Sequence, residues 1–222
     1  MTWKQLFTSS IGKKFVMALT GFFLIVYLVV HASINAMIFY DDGGATFNKA
    51  AYFMSRNFFM RFLEVGLFAG FLLHIVQGLL LWKQNNSARK ISYDKNNNPP
   101  KIKWYSRTMG WLGTFLLLFL VMHLYHFWAG TKNEMYFDGV QKDLYLEMKE
   151  IFTNPLFFVL YMIGLASLLF HLLHGFQSAF QTFGINHRRW TPIVKGIGIF
   201  YSVAICILFA FMPISFMVGW LT

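Results

Sequence analysis

Six of the seven histidines in this chain stand inside long apolar runs: His31, His74, His123, His126, His171 and His174. A polar ring in such surroundings must find a partner or its burial is costly. Three chemistries offer one: a hydrogen bond to a neighbouring helix, a proton relay, or donation of the ring lone pair to a metal. A lone histidine in a helix most often takes the first. Six of them on four separate runs ask for more. No carboxylate or thiolate accompanies these residues at metal-ligand spacing, and the single cysteine, Cys206, lies in the last apolar run, which excludes a disulfide framework and a cysteine-ligated iron–sulfur cluster.

The elements that must position these rings follow from composition. The 222 residues are 57% apolar, 20% aromatic and only 13% charged, too greasy for a soluble domain of that size. Five runs, about 15–39, 62–82, 109–128, 156–180 and 193–218, reach the roughly 20 residues needed to cross a bilayer as a helix. They are continuous, whereas barrel strands alternate, and a spanning segment must satisfy its backbone internally. The expected fold is therefore all-α, a polytopic bundle of five transmembrane helices forming one domain over 1–222. The first run exceeds the roughly 7 to 15 apolar residues of a signal-peptide core and reads as a retained span.

Lysine and arginine are divided unequally between the connections. The N-terminal stretch and the links after Trp82 and Gly184 hold thirteen of them against one acid, Asp94, whereas the opposite links and span edges hold six against eight acids. The positive-inside rule puts the basic face and the N-terminus in the cytoplasm and the C-terminus outside. That partition accounts for the net charge of +10 without nucleic acid as a partner. The inner link SARKISYDKNNNPPKIKW suits docking to anionic lipid or a partner protein. On the outer side, DLYLEMKEIF before Pro155 reads as a short interfacial helix.

Depth then groups the histidines. His31 lies 17 residues beyond Lys14 and His123 lies 16 beyond Arg107, both on outward-running helices, so each is roughly 25 Å from its inner anchor. His74 is nine residues short of Lys83 on an inward-running helix, and His171 and His174 are 16 and 19 residues past Pro155 on another. Two levels, each with imidazoles from two helices, are what two stacked bis-imidazole haems require. With no CxxCH motif the haems are expected to be held non-covalently, and six-coordinate iron favours electron transfer over oxygen chemistry. Within each three-residue pair spacing alone does not choose. His74 and His171 each precede a glycine by four, Gly78 and Gly175, where a flat porphyrin can approach the backbone, which favours His171 over His174. Gly130 favours His126 over His123 on the same ground.

With these residues in hand, the chain resembles the di-haem cytochrome b membrane-anchor subunit of the succinate dehydrogenase and fumarate reductase family over essentially all five spans. The markers are H-x3-G-x8-G at His171, Gly175 and Gly184, H-x3-G at His74 and Gly78, HLY at His123, and the opening SSIGKKFVMALTG. The resemblance implies two b haems, His74 with His171 at the inner one and His31 with His123 at the outer one, His126 and His174 being second candidates. It also implies a bacterial cytoplasmic membrane protein that carries electrons between a cytoplasmic iron–sulfur subunit, itself bound to a flavoprotein, and membrane quinone, most simply menaquinone. Such a subunit belongs to an enzyme complex of respiration and the tricarboxylic acid cycle and does not act on succinate alone. The other readings are a cytochrome b serving a hydrogenase or formate dehydrogenase, and a haem-free transporter using the buried histidines. Some relatives carry a glutamate two residues before the fourth-helix ligand; here Leu169 stands there.

Overall fold

The computed structural model describes residues 3–88, 104–134 and 142–221, and within them the chain is helical without strands. A short α1 (Trp3–Thr8) leads into α2 (Ser10–Asn35), whose start is capped by Ser9 accepting from the Gly12 amide at 3.1 Å and whose end tightens into a 3-10 turn, Ala36–Phe39. After α3 (Ala45–Arg56) comes α4 (Phe58–Ala88), then α5 (Trp104–Arg107) and α6 (Met109–His123). The last of these passes through a π-helical turn, Leu124–Ala129, into α7 (Gly130–Asn133). On the far side are α8 (Leu144–Thr153), α9 (Pro155–Thr182) and α10 (Trp190–Met217). Asn154 accepts from the Leu156 amide at 3.0 Å and Pro155 supplies a first turn with no donor to satisfy, so α9 starts sharply. It ends at Gly184, whose φ of +85° lets the Gly184 and Ile185 amides turn back to Gln181 and Phe180.

Among the described residues, five helical segments are long and apolar enough to cross a membrane: Ser10–Phe39, Phe58–Ser87, Met109–Asn133, Pro155–Thr182 and Trp190–Met217. The expected all-α bundle of five spans is the observed one. Its outer surface is covered by bare apolar side chains, Phe58 at 88% and Phe200 at 76% exposure among them, as a lipid-facing wall requires. Several helices outrun their apolar runs. Helix α4 begins earlier because Asn57 accepts from the Phe59 amide at 2.9 Å, and it continues past Trp82 through polar residues, since hydropathy marks where lipid ends and not where helix ends.

Four of the spans form a ring. Helix α2 packs on α4, α4 on α6 with its π turn, α6 on α9, and α9 back on α2, while α10 lies outside against α9 and touches α2. The contacts give direction: Trp82 meets Trp111 at one end of the α4–α6 side, and Phe68 meets Trp128 near the other. Each side is thus antiparallel, and the two diagonals, α2 with α6 and α4 with α9, run parallel without packing. With sides of roughly 8–10 Å between axes, the diagonal axes stand about 11–14 Å apart, and side chains or a ligand must fill the space between those helices.

One end is closed by elements outside the spans. The expected helix at DLYLEMKEIF is α8, and its Tyr145, Met148, Ile151 and Phe152 are buried with Met212, Phe216 and Tyr161 in one cluster. Helix α3, which hydropathy did not announce, adds Phe47 to that cluster and is tied to α8 by Asn48 donating to Asp143 at 2.7 Å. Lys142 braces the same end by pairing with Glu134 at 3.2 Å and Glu147 at 3.0 Å. The basic inner link expected to dock a partner lies, from Arg89 to Lys103, outside the described residues.

Candidate metal centres

The histidines sort into two facing pairs and two bystanders. His31 of α2 and His123 of α6 bring their ring centres to 5.8 Å, planes at 90°, across one diagonal. His74 of α4 and His171 of α9 face each other at 6.2 Å and 64° across the other. The levels are separate. His74 sits against Thr20 and Gly21 of α2, ten or eleven residues before His31; His171 sits beside Gly113 of α6, ten residues before His123. At 1.5 Å per residue the pairs are about 15 Å apart along the bundle.

This arrangement fits an iron between each pair. Two imidazoles gripping one metal from opposite sides, with bonds of about 2.0 Å, have ring centres roughly 6 Å apart. Among the described residues no group of three or more His, Cys, Asp or Glu side chains could hold a metal, so a bare ion would lack donors; a porphyrin supplies the remaining four.

Hydrogen bonding also fits. A ligating imidazole keeps its second nitrogen protonated and usually donates it to a partner. The Thr20 hydroxyl donates to the Val16 carbonyl at 2.8 Å, so toward His74 Nδ1, at 3.2 Å, it accepts. His74 Nδ1 therefore carries the proton and Nε2 keeps its lone pair. His31 Nδ1 lies 3.5 Å from the Tyr27 hydroxyl and 3.4 Å from the Asn35 side-chain amide, with the Tyr27 ring stacked on the imidazole. Across each diagonal the opposite ring differs: Nδ1 of His123 and of His171 is buried without a hydrogen-bond partner among the described residues. Such atoms are tolerable when the ring is anchored through its other nitrogen.

The bystanders are satisfied elsewhere. His174 Nδ1 is 2.8 Å from the Ser106 hydroxyl, and His126 Nδ1 is 3.1 Å from the Tyr161 hydroxyl, on whose ring it stacks at 14°. Neither faces a second histidine. Beside Gly130, the glycine four residues after His126, stands the end of Lys142, whose Nζ a Cβ there would meet at 2.7 Å. Beside Gly175 and Gly78 the nearest atoms are only the flexible ends of Met109, at 3.9 Å, and Met17, at 3.1 Å. His187 is exposed in the α9–α10 turn, where its Nδ1 accepts from the Arg189 amide.

Sequence reasoning missed one feature beside the His31–His123 level. Glu64 is paired with Arg61 one turn earlier at 3.6 Å, and also with Lys132 at 3.0 Å and the Trp128 indole N–H at 2.5 Å. Trp128 reaches it from within the π turn and Lys132 from beyond it, and the wider coil of that turn resets the helix phase and leaves no mark in hydropathy.

No family model matches the chain, and no solved structure matches it. A curated relative does: the succinate dehydrogenase cytochrome b558 subunit of Bacillus subtilis (strain 168) is 27% identical over 199 residues, covering 88% of this chain and 87% of that one. The resemblance read from the histidine and glycine motifs, to the cytochrome b subunit of the succinate dehydrogenase and fumarate reductase family, is borne out by this relative.

Proposed function

We propose that this chain is the cytochrome b membrane subunit of a succinate:quinone oxidoreductase, holding two b haems and carrying electrons between a cytoplasmic iron–sulfur subunit and membrane quinone. The observation that carries the reading is the pair of facing imidazoles at each of two depths, at 5.8 and 6.2 Å, inside an antiparallel membrane bundle. The likeness to a succinate dehydrogenase cytochrome subunit along most of both chains supports the choice of complex.

In this reading His74 and His171 hold the inner haem and His31 and His123 the outer one. Bound between two imidazoles, haem b supplies a reversible one-electron couple without an open coordination position. The protein's part is placement and insulation. Parallel diagonal helices present each pair of rings at one height, the antiparallel sides and α10 wall the interior from lipid, and α3 with α8 covers the end nearer His31 and His123. Neutral imidazoles do this without burying a net charge.

The N-terminus and the basic links face the cytoplasm, where they meet the iron–sulfur subunit and, through it, the flavoprotein. The opposite face lies outside, and quinone, menaquinone in the simplest case, is the membrane partner. The deciding experiment is purification from native membranes with the reduced absorption spectrum, haem per chain and partner identity measured together. Two low-spin haems per chain and a succinate-type flavoprotein are expected. A hydrogenase or formate dehydrogenase partner would replace the proposed complex while keeping the haems, and a spectrum without low-spin haem would leave a histidine-bearing transporter.

A further inference from the structure

We propose that Thr20 is a positioning residue for the inner haem: although α2 contributes no ligand at that level, its Thr20–Gly21 step seats His74, and the Thr20 hydroxyl sets the electron donation of that ligand. The inference rests on the haem reading above and adds a residue that the ligand motifs do not contain.

Three observations carry it. Thr20 is buried at 8% exposure, and its hydroxyl has one proton, committed to the α2 backbone at Val16 with Met17 next nearest at 3.2 Å. The oxygen's free lone pairs are left for His74 Nδ1 at 3.2 Å. Next in sequence, Gly21 has no side chain where a Cβ would come within 3.3 Å of His74 Cε1, so the ring lies flush on α2 with its Nε2 edge turned away from the hydroxyl.

The chemistry follows. An acceptor on the Nδ1 proton raises the basicity of Nε2, and a more basic ligand favours ferric over ferrous iron. Thr20 therefore lowers the potential of the inner couple. Among the described residues His171 has no such acceptor on its Nδ1, so the adjustment at this level comes from one side only. A merely structural threonine, bonded to its own helix backbone, would not touch the potential.

The test uses the purified complex with Thr20→Val, which keeps the shape and removes the hydroxyl, and Thr20→Ser, which restores the hydroxyl without the methyl. Haem content, the redox titration of each haem and the low-spin electron paramagnetic resonance signals are the readouts, with His74→Ala and His171→Ala identifying the inner signal. Because the lost contact is a hydrogen bond to a neutral hydroxyl at 3.2 Å, the expected effect of Thr20→Val is at the low end for an outer-shell partner. It should raise the reduced-to-oxidised ratio of the inner haem by about threefold to tenfold, or about 28 to 59 mV for one electron. The outer haem should be unchanged, and Thr20→Ser should match the unaltered protein. If Thr20→Val loses the inner haem, a serine variant with unaltered potential still supports the role. An unmoved inner potential in a haem-replete Thr20→Val, or an equal shift or loss in Thr20→Ser, overturns it while leaving the haem reading intact. Absence of low-spin haem from the unaltered protein overturns both.

Discussion

Removing the His171 imidazole is the sharpest trial of the two-level arrangement. In His171→Ala the partner across the diagonal, His74, is left facing a methyl group where a ring centre stood 6.2 Å away. The nearest spare imidazole on α9 is His174. It is about 4.5 Å further along the axis and about 60° around it, and its Nδ1 is engaged by Ser106 at 2.8 Å. It is out of reach of the vacated position. The other pair lies about 15 Å away along the bundle, beyond the 7–10 Å over which substitutions usually couple. Haem content should therefore fall from two per chain to one, with the remaining haem at its unaltered potential. Any haem still held by His74 alone should change from low-spin to high-spin, and added imidazole should reverse the change. Pyridine haemochrome counting with electron paramagnetic resonance reads all of this. Two intact low-spin haems in His171→Ala, with one lost in His174→Ala, would refute the assignment of the inner pair.

At the other level, His123→Ala should remove one haem, whereas His126→Phe, which gives up only the Tyr161 contact at 3.1 Å, should keep both by the same count. Reversing the basic charges between Arg89 and Lys103 should weaken retention of the soluble subunits on affinity purification, and unchanged recovery would make that link a passive connector. Lys142 offers a pH test. Burial pushes its pKa down, but the hydrogen bonds it donates to Glu147 and Glu134 outweigh this and hold it above the ordinary lysine value of 10.5. The brace is thus fully present below that value and is lost as the pH rises through the raised one. Lys142→Met should lower the thermal midpoint by an amount corresponding to about 0.5–1 kcal/mol near neutral pH, a difference that closes only in strongly alkaline buffer.

The sequence alone determined the number of spans and the heights of the histidines along them, because both are one-dimensional. An apolar run either matches the bilayer or does not, and a helix rises by a constant amount per residue, so His31 and His123 could be set at one depth from Lys14 and Arg107. What the sequence could not supply was the order of the helices around the ring and the phase of each one. Hydropathy is blind to both when every face is apolar. Only the tertiary structure put α2 opposite α6 and α4 opposite α9, and so decided that His123 and His171 face a second imidazole while His126 and His174, three residues on, turn to Tyr161 and Ser106. It also brought Thr20 under His74, folded α3 and α8 over one end, and used the π turn to aim Trp128 and Lys132 at Glu64. Each of these depends on the angle around a helix axis, which is settled when neighbouring helices pack.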